Sequence, residues 1–146
     1  MVRVVPGQSP GYNKRPRQPA ADDQRCAYCH TTEANTGQPM TVEHVVPQVQ
    51  GSVTTFDKLC VACRRCNECK GSATTARDPL TGDAVPLFHR RTQRWSERVA
   101  WDAPGTHLLG LTPVGRATVV NLNMNHAVIV GARRRWLSVG WHPPES

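Results

Sequence analysis

Aromatic residues are scarce in this sequence, at 5% of 146 residues, and long apolar runs are missing. No apolar stretch approaches the ~18 residues that would predict a membrane-spanning helix. The N-terminal segment MVRVVPGQSP lacks the apolar core of a signal peptide, so we expect a cytoplasmic protein. A chain of this length is expected to form about one domain, with a small core that would benefit from a stabilising staple.

Lysine is also rare: the sequence has 3 Lys against 15 Arg, and its net charge is +7. Arginine presents a planar fork of donors that matches phosphate oxygens. A basic surplus of this kind favours a polyanionic partner, with nucleic acid ahead of a membrane surface. An inert basic surface is the alternative interpretation of the charge alone.

The chain divides into three parts by composition. Residues 1–23 are rich in Pro, Gly and basic residues without a sustained period, which predicts a disordered basic arm. Residues 24–77 hold all six cysteines and form the expected core. Residues 78–146 form the expected C-terminal extension, which we predict to pack on the core.

The pattern within the core predicts two strands followed by a helix. Alternating apolar and polar residues at 40–46 and the short apolar run at 58–62 predict the strands. A helix is expected from residue 64, and Gly71 should weaken or end it.

The extension is predicted to contain a β-hairpin and two helices, which makes the fold class α+β. The hairpin is expected on either side of the APG turn at 103–105. Thr112 and Pro113 predict the start of the first helix. The second helix is expected over 125–141, with an apolar stripe of residues three or four apart: Val128, Ala132, Trp136 and Val139.

The cysteine spacing predicts a metal staple. Cys26 and Cys29 form one C-x-x-C pair, and a downstream pair would complete four thiolates around zinc. Cysteines at 60, 63, 66 and 69 offer three such pairs. Cys63 and Cys66 fit best, because they follow a strand and enter a helix. Cys60 is then expected to pack as a small hydrophobe and Cys69 to be a free thiol. Buried free thiols without metal are the alternative.

Between the two pairs lies VEHVVPQVQG, residues 42–51. A Glu–His pair at a strand end is most often a surface pair. Here it lies between two C-x-x-C pairs, and Asn67 directly follows Cys66. With C63-x-x-C66-N67-x-x-K70-G71, this order resembles the HNH endonucleases, whose core is a zinc-stapled ββα-metal fold.

The resemblance implies a role for each matching residue. His44 would be the general base that activates water. Glu43 would replace the family's usual aspartate as a ligand of the catalytic divalent ion, and Asn67 would be a second ligand. These oxygen donors suit Mg²⁺ or Mn²⁺. The four cysteines at 26, 29, 63 and 66 would hold the structural Zn²⁺.

The sequence departs from the family at two positions. Glu43 is one methylene longer than aspartate. Lys58 occupies the position of the middle asparagine, which orients the catalytic histidine in the family, and a lysine cannot accept a hydrogen bond. The carbonyl of Lys58 or the carboxylate of Asp57 is the expected substitute.

Several basic residues are expected to contact DNA phosphates, where contacts give affinity but little sequence information. They are Arg64, Arg65, Lys70, Arg91 and Arg94, with a further basic cluster at Arg133, Arg134 and Arg135.

The resemblance thus implies a metal-dependent DNA endonuclease. One alternative is a non-catalytic, zinc-stapled nucleic-acid-binding module that has lost cleavage through Lys58. A protein-interaction zinc module is a third option, which would leave the basic surplus unexplained.

Overall fold

The computed structural model describes residues 24–44 and 59–144 of the chain, except for the side chain of His44. The predicted arm at 1–23 lies outside the described residues, as do Asp57 and Lys58. Within the described part, the fold is α+β, with short helices and three two-stranded antiparallel sheets. No helix there has both the length and the apolar character that a membrane crossing requires.

The core contains the predicted succession of two strands and a helix. Strand β1 (Thr41–His44) pairs with β2 (Leu59–Ala62), so that Glu43 lies opposite Cys60 and His44 opposite Leu59. A short helix, α1 (Glu33–Thr36), precedes β1 and was not expected. Helix α2 (Arg64–Lys70) follows β2 and ends at Gly71, as predicted. Gly71 has φ +54°, which a glycine adopts without the Cβ penalty of other residues.

A second hairpin follows the core. Strand β3 (Thr75–Arg77) pairs with β4 (Ala84–Pro86). Its turn is held by Asp78, which is fully buried and receives hydrogen bonds from both the backbone N–H of Leu80 and the hydroxyl of Thr81. The guanidinium of Arg116 donates to both carboxylate oxygens at 2.9 Å. The hairpin is therefore fixed to a later helix by a bidentate ion pair.

The predicted hairpin and first helix of the extension are both present. Strands β5 (Val99–Trp101) and β6 (Leu108–Gly110) pair, and a 3₁₀ turn (Trp95–Glu97) precedes them. Helix α3 (Pro113–Asn121) begins with the side chain of Thr112 accepting from the N–H of Gly115. A Cβ at Gly115 would lie 1.8 Å from the carbonyl oxygen of Arg98. Glycine is required there because the helix packs directly on the backbone before β5.

The second helix of the extension, α4 (Ala127–Ser138), forms with a different buried face from the one predicted. Val128 and Val139 are 68% and 56% exposed, whereas Ile129, Val130 and Arg133 are buried. The predicted stripe is therefore wrong. Three of its members, Val128, Ala132 and Trp136, instead line a surface pocket of about 420 Å³.

One hydrophobic cluster joins the core and the extension. Tyr28 contacts Phe88 edge to face at 6.4 Å between ring centroids. The indole N–H of Trp95 donates to the carbonyl of Tyr28 at 2.7 Å. The larger buried residues of the cluster come from both parts: Tyr28, Met40, Val61, Leu87, Phe88, Val99, Leu108, Val119, Leu122 and Met124. The extension thereby supports the segment that carries the candidate site.

Candidate functional site

Four buried cysteines converge in the core. The Sγ atoms of Cys26, Cys29, Cys63 and Cys66 lie within 4.8 Å of one another. Four thiolates at ~2.3 Å from one tetrahedral zinc would be separated by about 3.8 Å, and the Cys29 and Cys63 sulfurs are 3.7 Å apart. The spacing and the donor type both fit zinc, so the cluster could bind that ion.

Local backbone structure presents these sulfurs to one another. The first pair lies in a turn closed by hydrogen bonds from Cys26 N–H to Thr31 and from His30 N–H to Cys26. Ala27 N–H donates to the carbonyl of Val61, which ties this turn to β2. Cys63 caps α2, with its sulfur accepting from the N–H of Cys66. The same helix start therefore fixes both downstream sulfurs.

The thiols perturb one another's pKa values. Burial, followed by hydrogen bonds with Cys29 and Cys63, raises the pKa of Cys26. Hydrogen bonds with the other cysteines raise the pKa of Cys66 and lower that of Cys29. Neighbouring thiols thus stabilise a thiolate at Cys29 and oppose further ionisation. A bound cation would favour the fully ionised set that metal ligation requires.

The other two cysteines lie outside this cluster. Cys60 is buried, and its sulfur is 3.7 Å from Oε2 of Glu43. Cys69 is exposed and not disulfide-bonded. Of the three downstream pairs that the spacing allowed, Cys63 and Cys66 are therefore the ones that join Cys26 and Cys29.

Glu43 is buried beside Lys70. Oε1 of Glu43 lies 3.1 Å from Nζ of Lys70, and the side chains are 6% and 1% exposed. Burial raises the pKa of Glu43, while the charge of Lys70 and hydrogen bonds with Tyr28 and Cys60 oppose that rise. Within the described residues, neither Oε1 nor Nζ has a partner with good hydrogen-bond geometry. The two groups are therefore held together mainly by their opposite charges.

Asn67 lies on α2 three residues before Lys70, and it is half-buried. Side chains three apart share a helix face. The Glu43–Lys70 contact holds β1 against α2, and Asn67 lies about one helical turn before Lys70 on that helix. The backbone of His44 ends β1. The side chain of His44, together with Asp57 and Lys58, lies outside the described residues.

The structure separates the predicted phosphate-binding residues into exposed and buried ones. Arg64 and Arg94 are exposed, and Arg64 forms an ion pair with Glu68 at 2.8 Å. Arg65 is half-buried and donates to the carbonyl of Asn123. Arg91 donates through Nε to the carbonyl of Leu59, the residue opposite His44. Arg91 is therefore beside the candidate catalytic end of the β1–β2 hairpin.

Two basic residues do not lie on the surface as predicted. Lys70 is buried against Glu43, so its ammonium group pairs with a carboxylate in the interior and does not contact a DNA backbone. Arg133 is fully buried, donates to the carbonyl of Thr106 at 2.8 Å, and lies 5.1 Å from the ring centroid of Trp101. In both cases the correction follows from burial, since a side chain without solvent exposure cannot contact phosphate directly.

A further segment of the site was missed from the sequence. His89, Thr92 and Gln93 line a pocket of about 440 Å³ together with Lys70. The extension therefore contributes a wall beside the Glu43–Lys70 pair. In the sequence, the segment RRTQR at 90–94 indicates only positive charge, because nothing in its pattern shows which part of the core it contacts.

Comparison with known proteins agrees with this geometry. Residues 26–77 match the family model described as HNH endonuclease. No curated protein and no solved structure matches the chain significantly. The matched segment contains both C-x-x-C pairs, β1, β2 and α2. Residues 26–77, about a third of the chain, are therefore similar to the HNH endonuclease family model.

Proposed function

We propose that this protein is a metal-dependent endonuclease that hydrolyses phosphodiester bonds in DNA. The observation that carries the proposal is the burial of Glu43 against Lys70, one helical turn from Asn67, within a segment matching the HNH family model. A carboxylate and a carboxamide in one ββα unit supply oxygen donors for a divalent cation. In that role Glu43 and Asn67 would hold Mg²⁺ or Mn²⁺.

The residues present fit such an ion. The carboxylate oxygen of Glu43 that faces Lys70 is buried without a well-oriented hydrogen bond in the described part of the chain. The ion would polarise the scissile phosphate and stabilise charge on the leaving 3′ oxygen. Lys70 keeps the carboxylate paired and hence holds it in place within a low-dielectric surrounding.

His44 would take the proton of the attacking water, because an imidazole titrates close to the working pH. Asp57 or the carbonyl of Lys58 would orient the imidazole in place of the family's asparagine. Arg91, which is bound to the residue opposite His44, is positioned to contact a neighbouring phosphate. The products would carry 5′-phosphate and 3′-hydroxyl ends.

The four-cysteine cluster supports the same proposal structurally. Structural zinc at Cys26, Cys29, Cys63 and Cys66 would clamp the start of α2 to the first turn. Asn67 directly follows Cys66, so a fixed Cys66 also fixes the backbone of Asn67. Zinc would thereby position one catalytic ligand without taking part in the reaction.

One observation favours a second candidate, a nucleic-acid-binding module without cleavage. Lys70 already places a positive charge 3.1 Å from Glu43. A second cation at the same carboxylate would meet repulsion from that ammonium group. Together with Lys58 at the middle position of the family signature, this pairing would suit a protein that binds DNA and leaves it intact.

A plasmid assay distinguishes the two candidates. Supercoiled plasmid is incubated with the protein and Mg²⁺ or Mn²⁺, in parallel with His44→Ala, Asn67→Ala and the control His107→Ala. His107 is 41% exposed in the turn between β5 and β6, away from the HNH segment. Nicking by the wild type and His107→Ala, with loss in the other two variants, supports the endonuclease.

DNA retention without nicking by any protein would support the binding module. Nicking that persists unchanged in His44→Ala would contradict the assigned base. Metal dependence is tested in the same assay, since a chelator should abolish nicking and added Mg²⁺ or Mn²⁺ should restore it.

A further inference from the structure

A second pocket lies on the other side of the segment that carries Arg91. It has a volume of about 590 Å³ and is formed by the first cysteine turn, the segment at 90–96, strand β5 and the prolines at 143–144. This volume lies in the range of small-molecule sites, roughly 300–1,000 Å³. Neither the sequence pattern nor the candidate site in the HNH segment assigns a role to this pocket.

The pocket is strongly basic. Arg25, Arg90 and Arg94 line it, and none of its lining residues is acidic. Nε of Arg25 is buried and has no hydrogen-bond partner among the described residues. The guanidinium groups therefore give the pocket its positive charge.

Aromatic rings form another wall of the pocket. His30 stacks on Trp95 with 3.8 Å between ring centroids and 17° between planes. Trp101 lies next to Trp95, with 6.2 Å between centroids. Rings beside guanidinium groups provide surfaces for stacking a base and donors for its phosphate. An acidic peptide would use the cations but not the stacked rings.

The pocket adjoins the candidate catalytic site. Gln93 lines both this pocket and the pocket that contains Lys70. Arg91 lies in the same segment and is bound to Leu59, opposite His44. A nucleic-acid strand that follows residues 89–94 would therefore pass from one pocket to the other.

We infer that the pocket of Arg25, His30, Arg90, Arg94, Trp95 and Trp101 takes an unpaired nucleotide of the substrate strand next to the scissile phosphate. The identification of that strand as substrate rests on the proposed endonuclease function. A base held in a Watson–Crick pair has its edge and both faces occupied and cannot enter a pocket of this kind. The preferred substrate is consequently DNA with a single-stranded segment, such as a flap or a gap.

The test measures binding separately from cleavage. Fluorescence anisotropy is recorded for His44→Ala with a short thymidine oligonucleotide, a blunt duplex and a duplex with a single-stranded flap. The same measurements are made on double variants that combine His44→Ala with Arg25→Ala or with Arg94→Ala. The control is Arg77→Ala, which removes the same charge from an exposed position of β3 outside the pocket.

Each pocket variant should weaken binding of the oligonucleotide and of the flap by roughly tenfold, because a stacking and phosphate site is lost. Binding of the blunt duplex should change little, and Arg77→Ala should retain the preference for unpaired DNA. Arg94 is exposed, so its variant should fold normally, and thermal unfolding verifies this.

Three results would overturn the inference: equal loss in Arg77→Ala, duplex binding as tight as flap binding in the parent protein, or competition by poly-glutamate as effective as by oligonucleotide. The proposed function fails in a different way. If unpaired DNA binds in the pocket but the protein with His44 intact never cuts it, the proposed endonuclease function is contradicted. The inference that the pocket binds a nucleotide would still hold.

Discussion

Nζ of Lys70 lies 3.1 Å from Oε1 of Glu43, and this ion pair is sealed inside the ββα unit. Lys70 ends α2, and Glu43 lies in β1, so the contact joins the two elements that carry the candidate metal ligands. A buried pair of this kind loses hydration on both sides, and its stability depends on both partners being present.

Removal of one partner should therefore be costly. Lys70→Met leaves the Glu43 carboxylate buried without its counter-charge, and the free energy of unfolding should fall by about 3–5 kcal/mol. Urea denaturation measures the change. The paired substitution Glu43→Gln with Lys70→Met should regain part of the loss, since no unpaired charge remains.

Arg64→Met is the matched control for this prediction. Arg64 also pairs with a glutamate, Glu68, but both side chains are largely exposed. Such a pair contributes little to stability, so the variant should unfold close to the wild type. A Lys70→Met protein as stable as Arg64→Met would show that the buried pair does not support the fold.

Local signals in the sequence predicted much of the core. Strand alternation located β1, the apolar run located β2, and Gly71 marked the end of α2. Thr112 and Pro113 likewise identified the start of α3. These elements are determined by residues within a few positions of each other, which is why they can be read from the sequence alone.

Features that depend on distant residues were missed or wrong. Nothing in the sequence indicated that Asp78 pairs with Arg116, the contact that fixes the β3–β4 hairpin to the rest of the fold. The apolar stripe on α4 was misplaced because burial of Arg133 turns a different face inward. The spacing of apolar residues cannot predict a buried arginine, because its burial depends on the partners that surround it.

The candidate site likewise combines features that local sequence predicts with features that depend on distant residues. Cysteine spacing left three downstream pairs, and the predicted strand before Cys63 and helix after it selected the four that cluster, because both signals are local. The pairing of Glu43 with Lys70 could not be foreseen, since it arises only when β1 and α2 pack together. We predicted that Lys70 contacts DNA because it is charged. In the structure it is buried beside Glu43.

Metal removal should separate the clustered cysteines from the others. Cys63→Ser removes one thiol from the cluster, and it should lower zinc content and the melting temperature sharply, because structural zinc supplies folding free energy. Cys69→Ser is the control, since Cys69 is exposed and outside the cluster. Zinc content by mass spectrometry and thermal unfolding are the measurements.

A chelator should act in the same direction on the wild type, and unfolding should accompany or follow zinc loss. If Cys63→Ser bound as much zinc as Cys69→Ser, the cluster would not be the binding site.

The Asp78–Arg116 pair predicts an acid-sensitive component of stability. Hydrogen bonds from the Arg116 guanidinium hold the pKa of Asp78 below its usual value, against the opposing effect of burial. The folded state therefore binds this proton less tightly than the unfolded state does. The stabilisation is present above the ordinary aspartate pKa of about 3.9 and is lost as the pH falls below it.

Melting temperature measured between about pH 6 and pH 2 tests this sign. Asp78→Asn should be less stable than the wild type near neutral pH, and the difference should shrink on acidification. Asp83→Asn, at an exposed position of the same hairpin, should follow the wild-type curve. A constant difference between Asp78→Asn and the wild type at every pH would refute the linkage.

Lys58 provides a test of the proposed reaction. Lys58→Asn restores an amide at the position where the family orients its catalytic histidine, so nicking should rise if lysine limits activity. General-base assistance contributes about 10²–10⁴-fold to such reactions, which sets the upper range of the gain. An unchanged or lower rate would indicate that Asp57 or a backbone carbonyl already orients His44.

Arg133 should stabilise the charge of a loaded cysteine cluster. Burial lowers the pKa of its guanidinium, and the charges of Cys29 and Cys66 oppose that effect, so the cation lies within electrostatic reach of the cluster. Nε and Nη2 of Arg133 are buried without hydrogen-bond partners in the described residues. Four thiolates around a divalent ion would leave a net negative charge, which this guanidinium would offset.

Arg133→Met should therefore weaken zinc binding by about tenfold or more, as loss of other groups that support metal ligands does. Competition with a chromophoric chelator measures the affinity. Arg134→Met is the matched control, because Arg134 is the exposed neighbour on α4. If Arg133→Met only lowered the melting temperature and held zinc as tightly as Arg134→Met, Arg133 would serve packing against Trp101 and Thr106 alone.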